Sequence, residues 1–154
     1  MVHPMTPIQK DKSGPTLYWA IFTLACLGFL DATYLLIYKL TNINAMCLGN
    51  GGCHNVNFSS YSEINGIPVS AFGMFAFFVI AGILLLEPRW KAAMENGSLA
   101  IFGISLAGVA FSAYLTWLEL YVINAVCPFC VASAIIITLI FILALIRLIK
   151  QPSQ

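Results

Sequence analysis

Cys127-Pro128-Phe129-Cys130 sets two thiols three positions apart, at the mouth of an apolar run that continues almost to the end of the chain. At this spacing the two sulfurs sit within one helical turn and can close a small disulfide. Pro128 suits the first helical position, where its missing N–H would be an orphan in any case. The unpaired N–H groups of that turn then face the sulfurs and favour the thiolate, which is the reactive form of cysteine. A C-x-x-C by itself serves redox chemistry, half of a metal site or two core cysteines, so its partners decide.

The partners are Cys47 and Cys53, separated by Leu48-Gly49-Asn50-Gly51-Gly52. Three glycines in five residues make a permissive, mobile turn. The two thiols can close on each other, and either can swing toward another sulfur. A structural bridge usually staples a rigid frame, whereas a glycine-rich hinge suits a shuttle. His54, beside Cys53, reads as an exposed loop histidine rather than a base. Cys26 lies deep in an apolar helix and reads as a small inert hydrophobe.

The elements that position these thiols are apolar helices. Of 154 residues, 60% are hydrophobic and only 8% charged, with a mean hydropathy of +0.91, far from a soluble globular profile. A bilayer span takes roughly 20 apolar residues, and four runs qualify: Leu17 to Leu40, Pro68 to Leu86, Ser98 to Ile123 and Pro128 to Ile149. The fold class expected is all-α, an integral membrane four-helix bundle with a loop and short helix between the first two spans. Residues 1–15 are expected to form a flexible tail, 16–150 the four-span catalytic domain, and 151–154 a short C-terminal tail. The first run is too long for a signal-peptide core and no small-residue cleavage site follows it, so it is read as retained. A net charge of +1 gives no reason to expect a nucleic-acid partner.

Orientation follows from the basic residues. Lys10, Lys12, Arg89, Lys91, Arg147 and Lys150, six of the seven, fall on one face of a four-span protein; only Lys39 lies opposite. The positive-inside rule makes that face cytoplasmic, with both termini. The C-x-x-C and the loop from Thr41 to Ile67 then lie outside, where disulfides persist.

Two carboxylates stand in or near spans. Asp31 is expected to face the bundle interior, hydrogen-bonded to another helix or serving a proton path. Glu119 is expected near the outer end of the third span, solvated or hydrogen-bonded. After Cys53, Val56, Ser59, Ser60 and Glu63 fall at helical spacing, which predicts a short surface helix. Asn65-Gly66 predicts a turn before the second span.

An offset of eighty positions aligns Ala20-Ile21-Phe22 with Ala100-Ile101-Phe102, Gly28 with Gly108, and Tyr34-Leu35 with Tyr114-Leu115. It also aligns Ile43-Asn44-Ala45-Met46-Cys47 with Ile123-Asn124-Ala125-Val126-Cys127. Fixed-offset similarity indicates two related halves, so Cys47 and Cys127 are expected to leave equivalent helices at the same end of one bundle.

Four outer cysteines in this arrangement admit three chemistries. A redox relay passes electrons stepwise by thiolate attack on disulfides, and at a bundle open to lipid its terminal acceptor would be a membrane quinone, which carries the electron chemistry. A soft-metal binding or transport protein would use the thiolates as ligands, but C-x5-C is unusual zinc spacing and no second C-x-x-C or histidine pair completes a knuckle. No metal site is assigned for that reason. The third is a structural membrane protein with two stapled loops.

The sequence resembles the vitamin K epoxide reductase family in its bacterial form, from Leu17 to about Ile149. The resemblance is carried by Cys47 and Cys53 before the second span, Ser59 six residues after Cys53, and Phe72-Gly73. It continues in Tyr114-Leu115-Thr116-Trp117 and ends in Cys127-Pro128-Phe129-Cys130. It implies a four-helix bundle around a quinone (ubiquinone or menaquinone), with Cys130 nearest the ring and Ser59 offering a hydroxyl to a quinone oxygen. Phe72 would line the same pocket. Cys127 would exchange with Cys53, and Cys47 would react with a thioredoxin-fold partner resembling DsbA, supporting disulfide formation across a bacterial inner membrane. Some bacterial members carry a fused thioredoxin-like domain; this sequence stops four residues after Lys150, so the partner expected is a separate protein. The animal enzyme's asparagine before the Phe-Gly and tyrosine after the C-x-x-C align with Val69 and Ala134, which argues for a quinone rather than the epoxide as substrate.

Overall fold

The computed structural model describes residues 13–41, 52–89 and 91–150. Cys47, most of the expected N-terminal tail and the segment 151–154 lie outside the described residues. Four long helices dominate: α1 (Ser13–Thr41), α3 (Val69–Leu86), α4 (Lys91–Leu118) and α5 (Pro128–Lys150). All four are long and apolar enough to cross a membrane, and the shortest, with 18 residues, covers about 27 Å at the helical rise. The protein is an all-α membrane bundle, as the hydropathy pattern predicts. α1 starts at Ser13, inside the segment expected to be tail.

Between α1 and α3 lie a short helix, α2 (Gly52–Asn57), and a hairpin of β1 (Glu63–Ile64) with β2 (Ile67–Pro68). The hairpin pairs Glu63 with Pro68 and Ile64 with Ile67. Its two-residue turn, Asn65-Gly66, has φ of 54° and 82°. Both signs are those of a type I′ turn, whose twist matches that of paired strands, and Asn and Gly tolerate it best. The surface helix expected around Val56 to Glu63 is therefore shifted: it starts at Gly52, ends at Asn57, and Glu63 is in a strand. Lys39 anchors the hairpin to α1, with Nζ 3.0 Å from Glu63 Oε1 and donating to Ser62 Oγ at 2.6 Å.

Each half of the internal repeat forms a tightly packed helix pair. α1 packs chiefly on α3, and α4 on α5, while α1 also meets α5. The aligned glycines have the same use. A β-carbon at Gly28 would come within 2.5 Å of Phe77 on α3, and one at Gly108 within 2.7 Å of Ile137 on α5. The core between the pairs is built from Ile21, Ala25, Ala32, Phe77, Ile80, Leu84, Ile101, Ile137, Ile140 and Ala144.

At one end, Arg147 of α5 donates to Glu87 Oε2 at 2.7 Å, and Tyr18 Oη donates to the Leu84 carbonyl at 2.9 Å. The C-x-x-C, α2 and the hairpin are at the opposite end, called the outer end below. Apolar side chains are exposed there, among them Phe58, Tyr61, Ile64 and Ile67.

Candidate active site

The outer end of α4 does not finish as an α-helix. Glu119–Ile123 forms a π-helical turn, a feature that often marks functional positions. Asn124 then adopts the left-handed conformation, with φ 53°, and its N–H caps the Glu119 carbonyl. Asparagine tolerates this conformation better than most side chains. The reversal returns the chain to Pro128 within four residues and aims Cys127 back at Glu119. The Cys127 N–H donates to Glu119 Oε2 at 3.3 Å. Glu119 is buried, with only 4% of its surface exposed; it is hydrogen-bonded as expected, but not solvated.

Pro128 is the first residue of α5, as its ring favours. The Cys127 carbonyl accepts the Val131 N–H at 3.1 Å, so Cys127 is the N-cap residue. Its thiol is held down to about 7 by hydrogen bonding, foremost from the Cys130 thiol, with help from the Cys130 and Phe129 N–H groups and the Cys53 thiol, against an opposing effect of burial. The sulfur thus takes the place that a serine or aspartate oxygen takes at an ordinary N-cap. Phe129 packs on Tyr34 of α1, with ring centroids 4.8 Å apart, fixing the turn against the bundle.

Cys53 sits on the first turn of α2 and is buried, not carried on a loop. Its Sγ lies 3.3 Å from Cys127 Sγ. The two, with Leu35 and Tyr38 of α1, form a buried cluster that Val56, Phe129 and Cys130 complete. Gly52 makes the approach possible, because a β-carbon there would overlap the Val126 carbonyl. Asn57 Nδ2 donates to the Cys53 carbonyl at 2.9 Å and closes the short helix. His54 is half-buried on α2 and lies against Phe58, ring centroids 4.6 Å apart; it is not an exposed loop residue. Cys26, half-buried, is also a free thiol.

Below the cysteines a cavity of about 380 Å³ opens among α1, α3, α4 and α5, roofed by α2 and the turn that follows it, with Ser59, Tyr61 and Ser62. Cys130, Ser59 and Phe72, the three residues expected to hold a cofactor, all line it, and so does Glu119. Ser59 Oγ donates to the Val56 carbonyl at 2.8 Å, so an occupant must compete for that hydrogen. Val69 is in the wall too, whereas Ala134 lines a separate groove with Thr116, Val131 and Thr138. Ser133, one turn beyond Cys130, lines the cavity and donates to Asp31 Oδ2. That contact bears out the expectation that Asp31 bonds to a neighbouring helix.

Sequence reasoning missed Glu119, Asn57, Ser62 and Ser133 as wall residues. Only Ser133 had a local signal, since three positions after Cys130 fall on the same helical face.

The sequence model of the vitamin K epoxide reductase family matches residues 19–145. The chain belongs to that family. Within it, the chain is 31% identical over 121 residues to the thiol-disulfide oxidoreductase LTO1 of Arabidopsis thaliana. The match covers 75% of this chain and 32% of the plant protein, so the chain spans about a third of the length of that relative. The matched family region contains the four long helices' packed portions, the three described outer cysteines Cys53, Cys127 and Cys130, and the whole cavity wall.

Proposed function

We propose that the protein is a membrane thiol oxidoreductase that passes electrons from a thioredoxin-fold dithiol partner to a membrane quinone, so that disulfides form in exported proteins. One observation carries the reading: Cys53 and Cys127 have their sulfurs 3.3 Å apart, while Cys130, the other half of the C-x-x-C, lines the cavity. The partner's dithiol is oxidised at Cys47 and Cys53. Cys53 thiolate then attacks Cys127 Sγ of a Cys127–Cys130 disulfide; the Cys53–Cys127 bond forms, and the electron pair of the broken bond goes to Cys130 Sγ. Cys47 thiolate then attacks Cys53 Sγ, so the Cys47–Cys53 bond re-forms, the Cys53–Cys127 bond breaks and Cys127 leaves as a thiolate. Closing the C-x-x-C would then give its two electrons to an acceptor in the cavity.

The cavity fits a quinone head. Its volume is within the roughly 300–1,000 Å³ of small-molecule sites, Phe72, Phe77 and Phe111 offer flat apolar walls, and Ser59, Asn57 and Glu119 are among the polar groups. A quinone bound there would supply a two-electron acceptor. The printed activity of the plant relative, thiol-disulfide oxidoreduction, supports the same reading. We place the outer end on the extracytoplasmic side of a bacterial inner membrane, because among the described residues Arg89, Arg147 and Lys150 lie at the other end and only Lys39 at this one.

Thiol trapping in membranes tests the reading. Under anaerobic, quinone-depleted conditions Cys53, Cys127 and Cys130 should accumulate as thiols, and added quinone should reoxidise them. Cysteines that stay oxidised whatever the quinone supply would refute it.

A further inference from the structure

The cysteine that lines the cavity is not the one on which the local structure puts negative charge. Cys127 is fully buried and receives the hydrogen bonds that stabilise a thiolate, the first of them from Cys130. Cys130, in the cavity wall, is the donor in that bond, so it holds the proton. Before Cys130 Sγ can act as a nucleophile it must lose that proton, and whenever it leaves a disulfide it must regain one. Cys127 is a poor acceptor, because its charge is what the turn is built to keep.

We infer that Glu119 is the proton carrier for Cys130. Its carboxylate lines the same cavity as Cys130, is buried and accepts the Cys127 N–H. It is also within reach of the Cys130 sulfur, whose one S–H turns either to Cys127 or to Glu119. The other titratable groups near it are accounted for. Cys53 of α2 faces Cys127, His54 of α2 has its ring against Phe58, and Tyr38 of α1 belongs to the cysteine cluster. Asp31 of α1 is engaged by Ser133, a turn deeper, and Lys39 is paired with Glu63. α3 contains no titratable residue in Val69–Leu86. Among the described residues neither ion pair includes Glu119.

The exchange step balances on these groups alone. Cys53 thiolate attacks Cys127 Sγ, the Cys53–Cys127 bond forms, and the Cys127–Cys130 bond breaks. Its electron pair goes to Cys130 Sγ, and the proton on the Glu119 carboxyl moves to that sulfur, leaving a carboxylate. No electron enters or leaves. When Cys130 next attacks, the same proton returns to Glu119. The assignment deepens the thiol–quinone reading and rests on it, but it can be tested with no quinone present.

The test is the rate at which N-ethylmaleimide labels Cys130 in fully reduced, quinone-free protein across pH 5.5–8.5, roughly the window from above the ordinary carboxyl range to the ordinary thiol value, with the site localised by tandem mass spectrometry. Glu119→Gln keeps an oxygen for the Cys127 N–H but cannot take a proton. Near pH 6 it should slow labelling about a hundredfold, the lower end of what a positioned proton acceptor contributes, and Glu119→Asp should recover part of the rate. Equal rates in wild type and Glu119→Gln at every pH would make Glu119 a structural acceptor only. Faster labelling in Glu119→Gln would mean that the carboxylate only holds the proton on sulfur. Either result overturns the assignment. Should Glu119→Gln not fold, the wild-type profile decides: a low-pH arm supports the carrier, and a single rise in the ordinary thiol range contradicts it. Protein that reduces no quinone still gives an answer here, so the two failures are distinct.

Discussion

Cys53 and Cys127 are 74 positions apart in the chain and 3.3 Å apart at sulfur, a separation well beyond the ~2.05 Å of a disulfide but short enough for exchange with little backbone motion. The contact joins α2, which follows the first helix of one repeat, to the N-cap of α5 in the other. Its closeness depends on Gly52 and on the reversal at Asn124.

Gly52→Ala tests the first of these supports. The added methyl overlaps the Val126 carbonyl, and overpacking of this kind costs typically about 1–3 kcal/mol. α2 should move away from the 124–127 loop, so oxidative trapping of a Cys53–Cys127 bond in a Cys130→Ala background should fall sharply. Undiminished trapping would show that the short helix is free to reseat itself.

Cys127 should react as a thiolate from about pH 7 upward. Its folded value lies below the usual 9.0, so the anion dominates above about 7 and is lost as pH falls through that value. Iodoacetamide alkylation of Cys127 in reduced protein should therefore show a midpoint near 7. Cys130→Ala removes the foremost donor and should move that midpoint upward. A wild-type midpoint near 9 would contradict the capped-thiolate geometry.

Ser59 is a milder case. One hydroxyl donor aimed at developing charge is worth a few kcal/mol at most, and this one is shared with the Val56 carbonyl. Ser59→Ala should slow quinone turnover by tenfold to a few hundredfold and leave Cys53–Cys127 exchange unchanged. Loss of both would mean that Ser59 holds the roof in place rather than serving the cavity.

The parts legible in the sequence were those with local causes. Hydropathy marks the four spans, Pro128 marks the start of α5, and Asn65-Gly66 marks a turn. The eighty-residue offset anticipates the two helix pairs, down to the use of Gly28 and Gly108. The parts that were not legible depend on tertiary contact. The glycines before Cys53 read as a hinge, yet Gly52 is small because the Val126 backbone lies against it. Glu119 looks like an ordinary acidic residue at a helix end; its partner N–H exists only because the π turn and left-handed Asn124 fold Cys127 back onto it. His54 reads as polar and exposed until Phe58 covers it.

The most direct measurement of the central claim is quinone reduction by purified protein given a reduced thioredoxin-fold donor under anaerobic conditions. The account predicts one quinone reduced per donor dithiol oxidised, with the yield abolished in Cys53→Ser, Cys127→Ser and Cys130→Ser variants. Donor oxidation that proceeds with no quinone reduced, or quinone reduction that survives loss of Cys130, would contradict it.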